Sequence, residues 1–237
     1  MAYTFDMDTI TVIIFIAIII IVIICAWILD WQAEQQRQKA YCDWASQHRW
    51  NYDFVDVYKT YEHYSFLKQL SRGSNQYAFD ILRGTWKGYS AEAFNFHYET
   101  YHTSSSTNSE GVTTTTTETA HHYIGVVLIE FKEDFPLLII YPKNAFEKIT
   151  SKLGFGKNNV KSIELFQAFN IYCNDNRFVH DFCHPKMIDY LLANPDIELE
   201  LQSNIAIVYD SRGQMTPADV EKHLVQLYYL RAFLPLQ

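Results

Sequence analysis

The stretch from Thr9 to Leu29 (TITVIIFIAIIIIVIICAWIL) carries no charged side chain. A hydrocarbon core about 30 Å thick needs roughly 20 apolar residues in helical form, and this run supplies them. Ile and Val are mediocre helix formers in water. In lipid, however, every backbone group must be paired within the segment, so a helix is expected. A cleaved signal peptide would show a basic leader, a shorter apolar stretch and a small-x-small cleavage site. Residues 1–8 (MAYTFDMD) hold no Lys or Arg, Ala26-Trp27-Ile28 is a poor cleavage site, and bulky Ile24 precedes Cys25 where lipidation wants a small residue. Residues 9–29 therefore read as an uncleaved transmembrane helix whose partner is the lipid bilayer.

Orientation follows from the flanking charges. Asp6 and Asp8 precede the span without a cation, whereas Arg37, Lys39 and Arg49 follow it. The positive-inside rule then leaves residues 1–8 as a short tail outside and the C-terminal domain in the cytoplasm. Trp27 and Trp31 sit where an aromatic belt belongs. The rest of the chain is long enough for one domain with its own core. Aromatic residues at 16% and apolar residues at 49% exclude a disordered chain. A net charge of −8 gains nothing from nucleic-acid phosphates or an anionic leaflet. With no block of four or more Lys or Arg after the span, the sequence gives no support to electrostatic lipid recognition, and no nucleic-acid partner is expected. Four cysteines, one of them inside the span, do not make a disulfide framework.

Residues 30–50 contain no Gly or Pro and should continue the membrane helix into the cytoplasm, with Ala33, Ala40 and Trp44 on one side and Tyr41, Ala45 and His48 beside them. Residues 51–237 read as an α+β domain: a mainly antiparallel β-sheet with inserted helices and a C-terminal helix. Asn51–Val55 is a short strand, and a helix is expected around Phe66–Leu70. Tyr77–Trp86 and Tyr89–Tyr98 form a hairpin turning at Lys87-Gly88. Phe94, Phe96 and Tyr98 alternate with Asn95 and His97, which predicts one wet face. Residues 102–120 (HTSSSTNSEGVTTTTTETA) offer almost nothing to bury and are expected to be a flexible hairpin loop. His121–Phe131 and Leu137–Tyr141 are two further strands, Asn144–Leu153 a short helix and Phe169–Cys173 a strand. Helices follow at Asp175–Cys183 and Pro185–Ala193, then a second hairpin, Glu198–Gln202 with Ile205–Tyr209, around Ser203-Asn204.

The last helix is the best marked, with Thr216 as cap, Pro217 at its first position and Asp219 in its first turn. Its apolar arc holds Val220, Leu224, Leu227, Tyr228, Leu230 and Leu234. A second stripe, Val225, Tyr229 and Phe233, lies opposite at i, i+4, i+8 and is the candidate surface for a protein partner or for self-association.

Three segments carry a resemblance: Phe166–Tyr172 (FQAFNIY) with Asp175–Phe178 (DNRF), His184–Leu192 (HPKMIDYLL), and the hairpin with Gly84–Tyr89 (GTWKGY) and Ala93–Phe96 (AFNF). Together they resemble an uncharacterised family of bacterial single-span inner-membrane proteins, a domain of unknown function. The similarity covers about residues 40–235. It implies a bacterial inner-membrane protein and brings no known activity or site residues.

Phosphate-binding glycine loops, G-x-S-x-G, H-E-x-x-H and C-x-x-C are all missing, so no cofactor and no catalytic residue is assigned. His180, Cys183 and His184 would share one helical face and are candidate zinc ligands, although Pro185 follows at once and a fourth ligand has to come from elsewhere. His97, His102, His121 and His122 would converge if the strands flanking the Thr-rich segment pair. The reading is a membrane-anchored interaction or scaffold module. The alternatives are a metal-dependent enzyme or zinc-binding protein using His180, Cys183 and His184, and a lipid-binding module.

Overall fold

A computed structural model describes residues 7–107, 113–143 and 163–234; the helix expected at residues 144–153 and most of the tail 1–8 lie outside these. Helix α1 (Met7–His48) runs without a break from the apolar stretch into the domain. It is long and apolar enough to cross a membrane, and none of its apolar window is buried within the protein. It stops through its backbone. Arg49 takes a left-handed φ of 59°, and the Trp50 amide donates to the Ala45 carbonyl at 2.8 Å. This is the six-to-one closure of a Schellman motif, built here without glycine.

The domain is α+β. Among the described residues its antiparallel sheet has six strands: β1 (Asn51–Val55), β2 (Ser74–Trp86), β3 (Tyr89–Thr107), β4 (Thr113–Pro142), β5 (Phe169–Cys173) and β6 (Glu198–Asp210). The β2–β3 hairpin turns at Lys87 (φ 49°) and Gly88 (φ 90°), the two positive values that a tight two-residue turn needs. β4 is the spine: Thr113–Ile129 pair with β3, Gly125–Ile140 with β6, and Leu138–Pro142 with β5.

The segments read as two strands, His121–Phe131 and Leu137–Tyr141, are one bent strand. The expected hairpin around Ser203-Asn204 is likewise the middle of one strand, β6. Both corrections have one cause. Pro136 has no amide proton to give the ladder, so the β4–β6 register shifts around the Phe135–Ser203 pair, and Ser203 adopts a φ of 54°. A bulge at that point bends both strands without ending them.

The Ser/Thr-rich stretch is also not an open loop over its described part. Tyr101–Thr107 pairs residue by residue with Thr113–Thr119. β-Branched Thr suits a pleated backbone, and facing hydroxyls meet across the ladder, as in Thr107 with Thr113 at 3.0 Å. The result is a solvent-exposed two-stranded ribbon running out of the sheet.

Both faces of the sheet are covered. One carries the larger core, where the end of α1, α3 (Ile163–Ala168), α4 (Asn176–Phe182), α5 (Pro185–Ala193) and α6 (Pro217–Arg231) meet the strands. Val220, Leu224, Leu227 and Leu230 of α6 are fully buried there, each worth about 2 kcal/mol of apolar burial. On the other face Tyr64, Leu67 and Leu70 cover Phe94, Phe96, Val126 and Leu128. They belong to irregular turns after the short helix α2 (Thr60–His63), not to a helix at residues 66–70. Asn95 and His97, on the α1 face, are 0% and 2% exposed, so the wet face expected there is closed as well.

Candidate functional site

Two polar constellations occupy the face of the sheet that α1 covers. The first joins α1 to the strands. Asp80 is fully buried and stands at a φ of 52° in a β2 bulge between Phe79 and Leu82, so its carboxylate turns inward beneath α1. It pairs with the Arg37 guanidinium and accepts from the Tyr52 hydroxyl at 2.8 Å and from the Asn95 amide at 3.3 Å. Asn95 also donates to the Tyr41 hydroxyl at 3.2 Å and accepts from the Met215 amide at 2.8 Å. Tyr41 donates in turn to the Met215 carbonyl at 2.7 Å. Burial pushes the Asp80 carboxyl up, against the hydrogen bonds and the guanidinium that hold it down. Burial also raises the Tyr41 and Tyr52 phenols, so both remain donors. Residues of α1, β1, β2, β3 and the β6–α6 connection thus share one satisfied network, the arrangement in which buried polar groups fix a geometry.

The second lies one repeat further along β3. His97, Glu99 and His121 bring their ligating atoms within 4.8 Å of one another. His97 and Glu99 share a face of β3, and His121 is opposite Glu99 on β4. His97 Nε2 and His121 Nδ1 are 3.1 Å apart, and His121 Nδ1 lies 3.4 Å from Glu99 Oε1. Glu99 accepts from the Asn75 amide at 2.7 Å and the Tyr101 hydroxyl at 2.9 Å. Those two bonds hold its carboxyl below the usual range. His97 is stacked on Tyr77, with ring centroids 4.5 Å apart, and meets Tyr123 at 5.0 Å. His122 points away from this cluster, stacked on Tyr98 and bonded to Thr100, and His102 is exposed on the ribbon. Of the four histidines expected to converge, two do.

His180, Cys183 and His184 do not form one ligand face, because α4 ends at Phe182 and the chain turns at Cys183. His180 points to solvent beside Asp181. The half-buried Cys183 thiol is pushed up to about 12 by burial. His184 caps α5, its Nδ1 accepting from the Met187 amide at 3.4 Å while its Nε2 donates to the Phe233 carbonyl at 2.8 Å. The second stripe of α6 is divided. Val225 and Tyr229 are 37% and 56% exposed, whereas Phe233 packs on the main core beside Tyr190. Tyr228, expected on the buried arc, is exposed as well.

Sequence reasoning passed over Asp80 and Asn95. Their signal was present: an Asp inside Ala78-Phe79-Asp80-Ile81-Leu82 and an Asn between Phe94 and Phe96 are polar residues set in buried runs. Such residues need partners.

No family model matches the sequence, and no curated protein does. Among solved structures, the chain is similar to the mycobacterial trehalose monomycolate transport factor A, TtfA. The identity is 12%, the TM-score is 0.55, and the match covers 84% of this chain and 96% of that one. The likeness is one of fold.

Proposed function

We propose that this protein is a single-span bacterial inner-membrane scaffold whose cytoplasmic domain holds a protein partner at the bilayer, in an accessory role to transport. The observation that carries this reading is the continuity of α1. One helix runs from the apolar stretch to Trp44 and Ala45 in the core, and its inner face is bonded to the sheet through Arg37 and Tyr41. A flexible tether would serve to keep a domain near a membrane. A rigid connection holds the domain at a set height and angle, which suits an assembly with other membrane-bound components. The fold likeness supports the transport setting, since TtfA is described as a transport factor. The positive-inside arrangement of Arg37, Lys39 and Arg49 supports a cytoplasmic domain.

The exposed edge of α6, Val225 with Tyr228 and Tyr229, is the surface assigned to the partner. Tyr is favoured at interface centres because it adds contact area at low entropic cost. The test is in-cell cross-linking of the full-length chain beside its Tyr229→Asp variant. The expected result is a protein captured with the parent and lost with the variant, while the two melt at the same temperature. Capture that is indifferent to Tyr229→Asp in a folded protein removes this surface from the reading.

A further inference from the structure

The cluster at the base of the ribbon has the composition and support of a metal site. We propose that His97, Glu99 and His121 bind one divalent transition-metal ion, zinc foremost, where β3 and β4 leave the sheet as a free ribbon. Two imidazoles and one carboxylate are a donor set for zinc and its neighbours; magnesium and calcium prefer oxygen alone. The His97 Nε2 to His121 Nδ1 separation of 3.1 Å is close to the roughly 3.3 Å between two nitrogens on one tetrahedral zinc ion with bonds near 2.05 Å.

The surrounding residues do what ligand supports do. His97 Nδ1 lies 3.1 Å from the Asn75 carbonyl. A carbonyl can only accept, so Nδ1 carries the proton and Nε2 presents its lone pair to the cluster. Glu99 is steered by Asn75 and Tyr101, as ligating carboxylates are by their neighbours. Asn75 reaches both ligands because β2 is irregular there. Its φ is 49°, and the β2–β3 register shifts between Ser74 and Tyr77. At Gly73 (φ 64°) a Cβ would stand 2.3 Å from the Glu99 carbonyl oxygen, so the close approach to Glu99 of the chain entering β2 requires glycine. A left-handed Asn, a register shift and an obligatory glycine around one His–Glu–His group are local costs that a plain hydrogen-bonded histidine pair does not need.

The position gives the ion a purpose. His121 has a half-exposed side chain, so solvent can reach a coordination position that three protein ligands leave open. Beyond Tyr101, among the described residues, the two strands pair only with each other. An ion held by His97 and Glu99 on β3 and by His121 on β4 ties the two strands at the point where cover from the sheet ends.

The test uses the full-length chain, purified in detergent without a histidine tag, stripped with chelator and titrated with zinc, with ferrous iron under anaerobic conditions, and with magnesium. The expected result is one zinc or ferrous ion per chain and none of magnesium, with slower hydrogen exchange on the ribbon strands once metal is bound. His121→Ala, at an exposed ring, should weaken binding about 100-fold or more, since loss of supporting residues alone costs 10–100-fold. Glu99→Gln keeps the shape, can still accept from the Asn75 amide and can donate to the Tyr101 hydroxyl, and should also weaken it. His180→Ala should bind as the parent does. A folded parent that takes up no transition metal overturns the proposal. So does affinity unchanged by His121→Ala, or binding lost only with His180→Ala.

Discussion

At the scale of single residues, Asp80 decides how the anchor meets the domain. A carboxylate with no exposure is tolerated because Arg37, Tyr52 and Asn95 converge on it. Removing one member of a buried ion pair costs about 3–5 kcal/mol, largely because its partner is left unmatched. Arg37 keeps 22% exposure, which places Asp80→Ala near the lower end of that range. Asp80→Asn retains the shape, tolerates the left-handed backbone and still accepts from Tyr52. It should cost about half as much as Asp80→Ala, the difference separating charge from hydrogen bonding. Thermal melts of the detergent-solubilised chain decide this, and equal stability of all three proteins would show that the network leaves stability untouched. His184 marks the opposite case. A sequence reading saw a possible ligand, and the fold uses both of its ring nitrogens to cap α5 and hold the Phe233 carbonyl.

Elements were legible where one local rule sufficed. The span follows from length and apolarity, the β2–β3 hairpin from Lys87-Gly88, and α6 from Thr216-Pro217 with Asp219, which forms the reciprocal capping box. Elements were misjudged where tertiary contacts overrode local composition. Pro136 and Ser203-Asn204 are turn residues by type, yet the strands pair past them because each is held on its other edge or along its remaining length. Asn95 and His97 suggested water on one face, but the cover comes from α1, more than fifty residues upstream of Asn95, and from the irregular start of β2. The four-histidine convergence depended on strand pairing that periodicity alone does not reveal, and strand facing then divided the set. One packing contact holds the end of α1 in place. Trp50 lies on Gly84, where a Cβ would stand 2.4 Å from the indole Cγ, and its Nε1 donates to the Thr85 carbonyl at 3.2 Å. Gly84→Ala should therefore displace a buried indole and cost about 1–3 kcal/mol. The melting temperature should fall and the tryptophan emission of the folded state should shift. An unaltered melt would show that the indole moves aside freely.

At the scale of the molecule, contacts at two levels of β3 order the domain relative to its anchor. Trp50 meets Gly84, which is paired with Ala91; further back along α1, Tyr41 meets Asn95, and Arg37 lies over Phe79, the strand partner of Asn95. As α1 is followed back toward the span, β3 is followed forward toward Thr107. The histidine cluster and the Ser/Thr ribbon thus project from the same end of the domain as the membrane helix. From Tyr41 back to Leu29 a helix rises about 18 Å, whereas Asn95 to Thr107 as a strand covers about 40 Å. Kept parallel to α1, the ribbon would reach past the level where the apolar stretch begins. It cannot enter hydrocarbon, because its side chains are polar and mostly hydroxylic and, among the described residues, its two outer edges have no ladder partner. With the span in a bilayer, the expected outcome is a ribbon that leans along the headgroups, where its hydroxyls find water and phosphate. A fluorophore attached to a Ser105→Cys variant, with the native cysteines replaced, reports this in nanodiscs. Quenchers on the lipid headgroup should extinguish it strongly, and quenchers deep in the acyl chains should have little effect. Emission insensitive to both would place the ribbon in open solvent, away from the surface, and would require α1 to leave the membrane at a steep tilt.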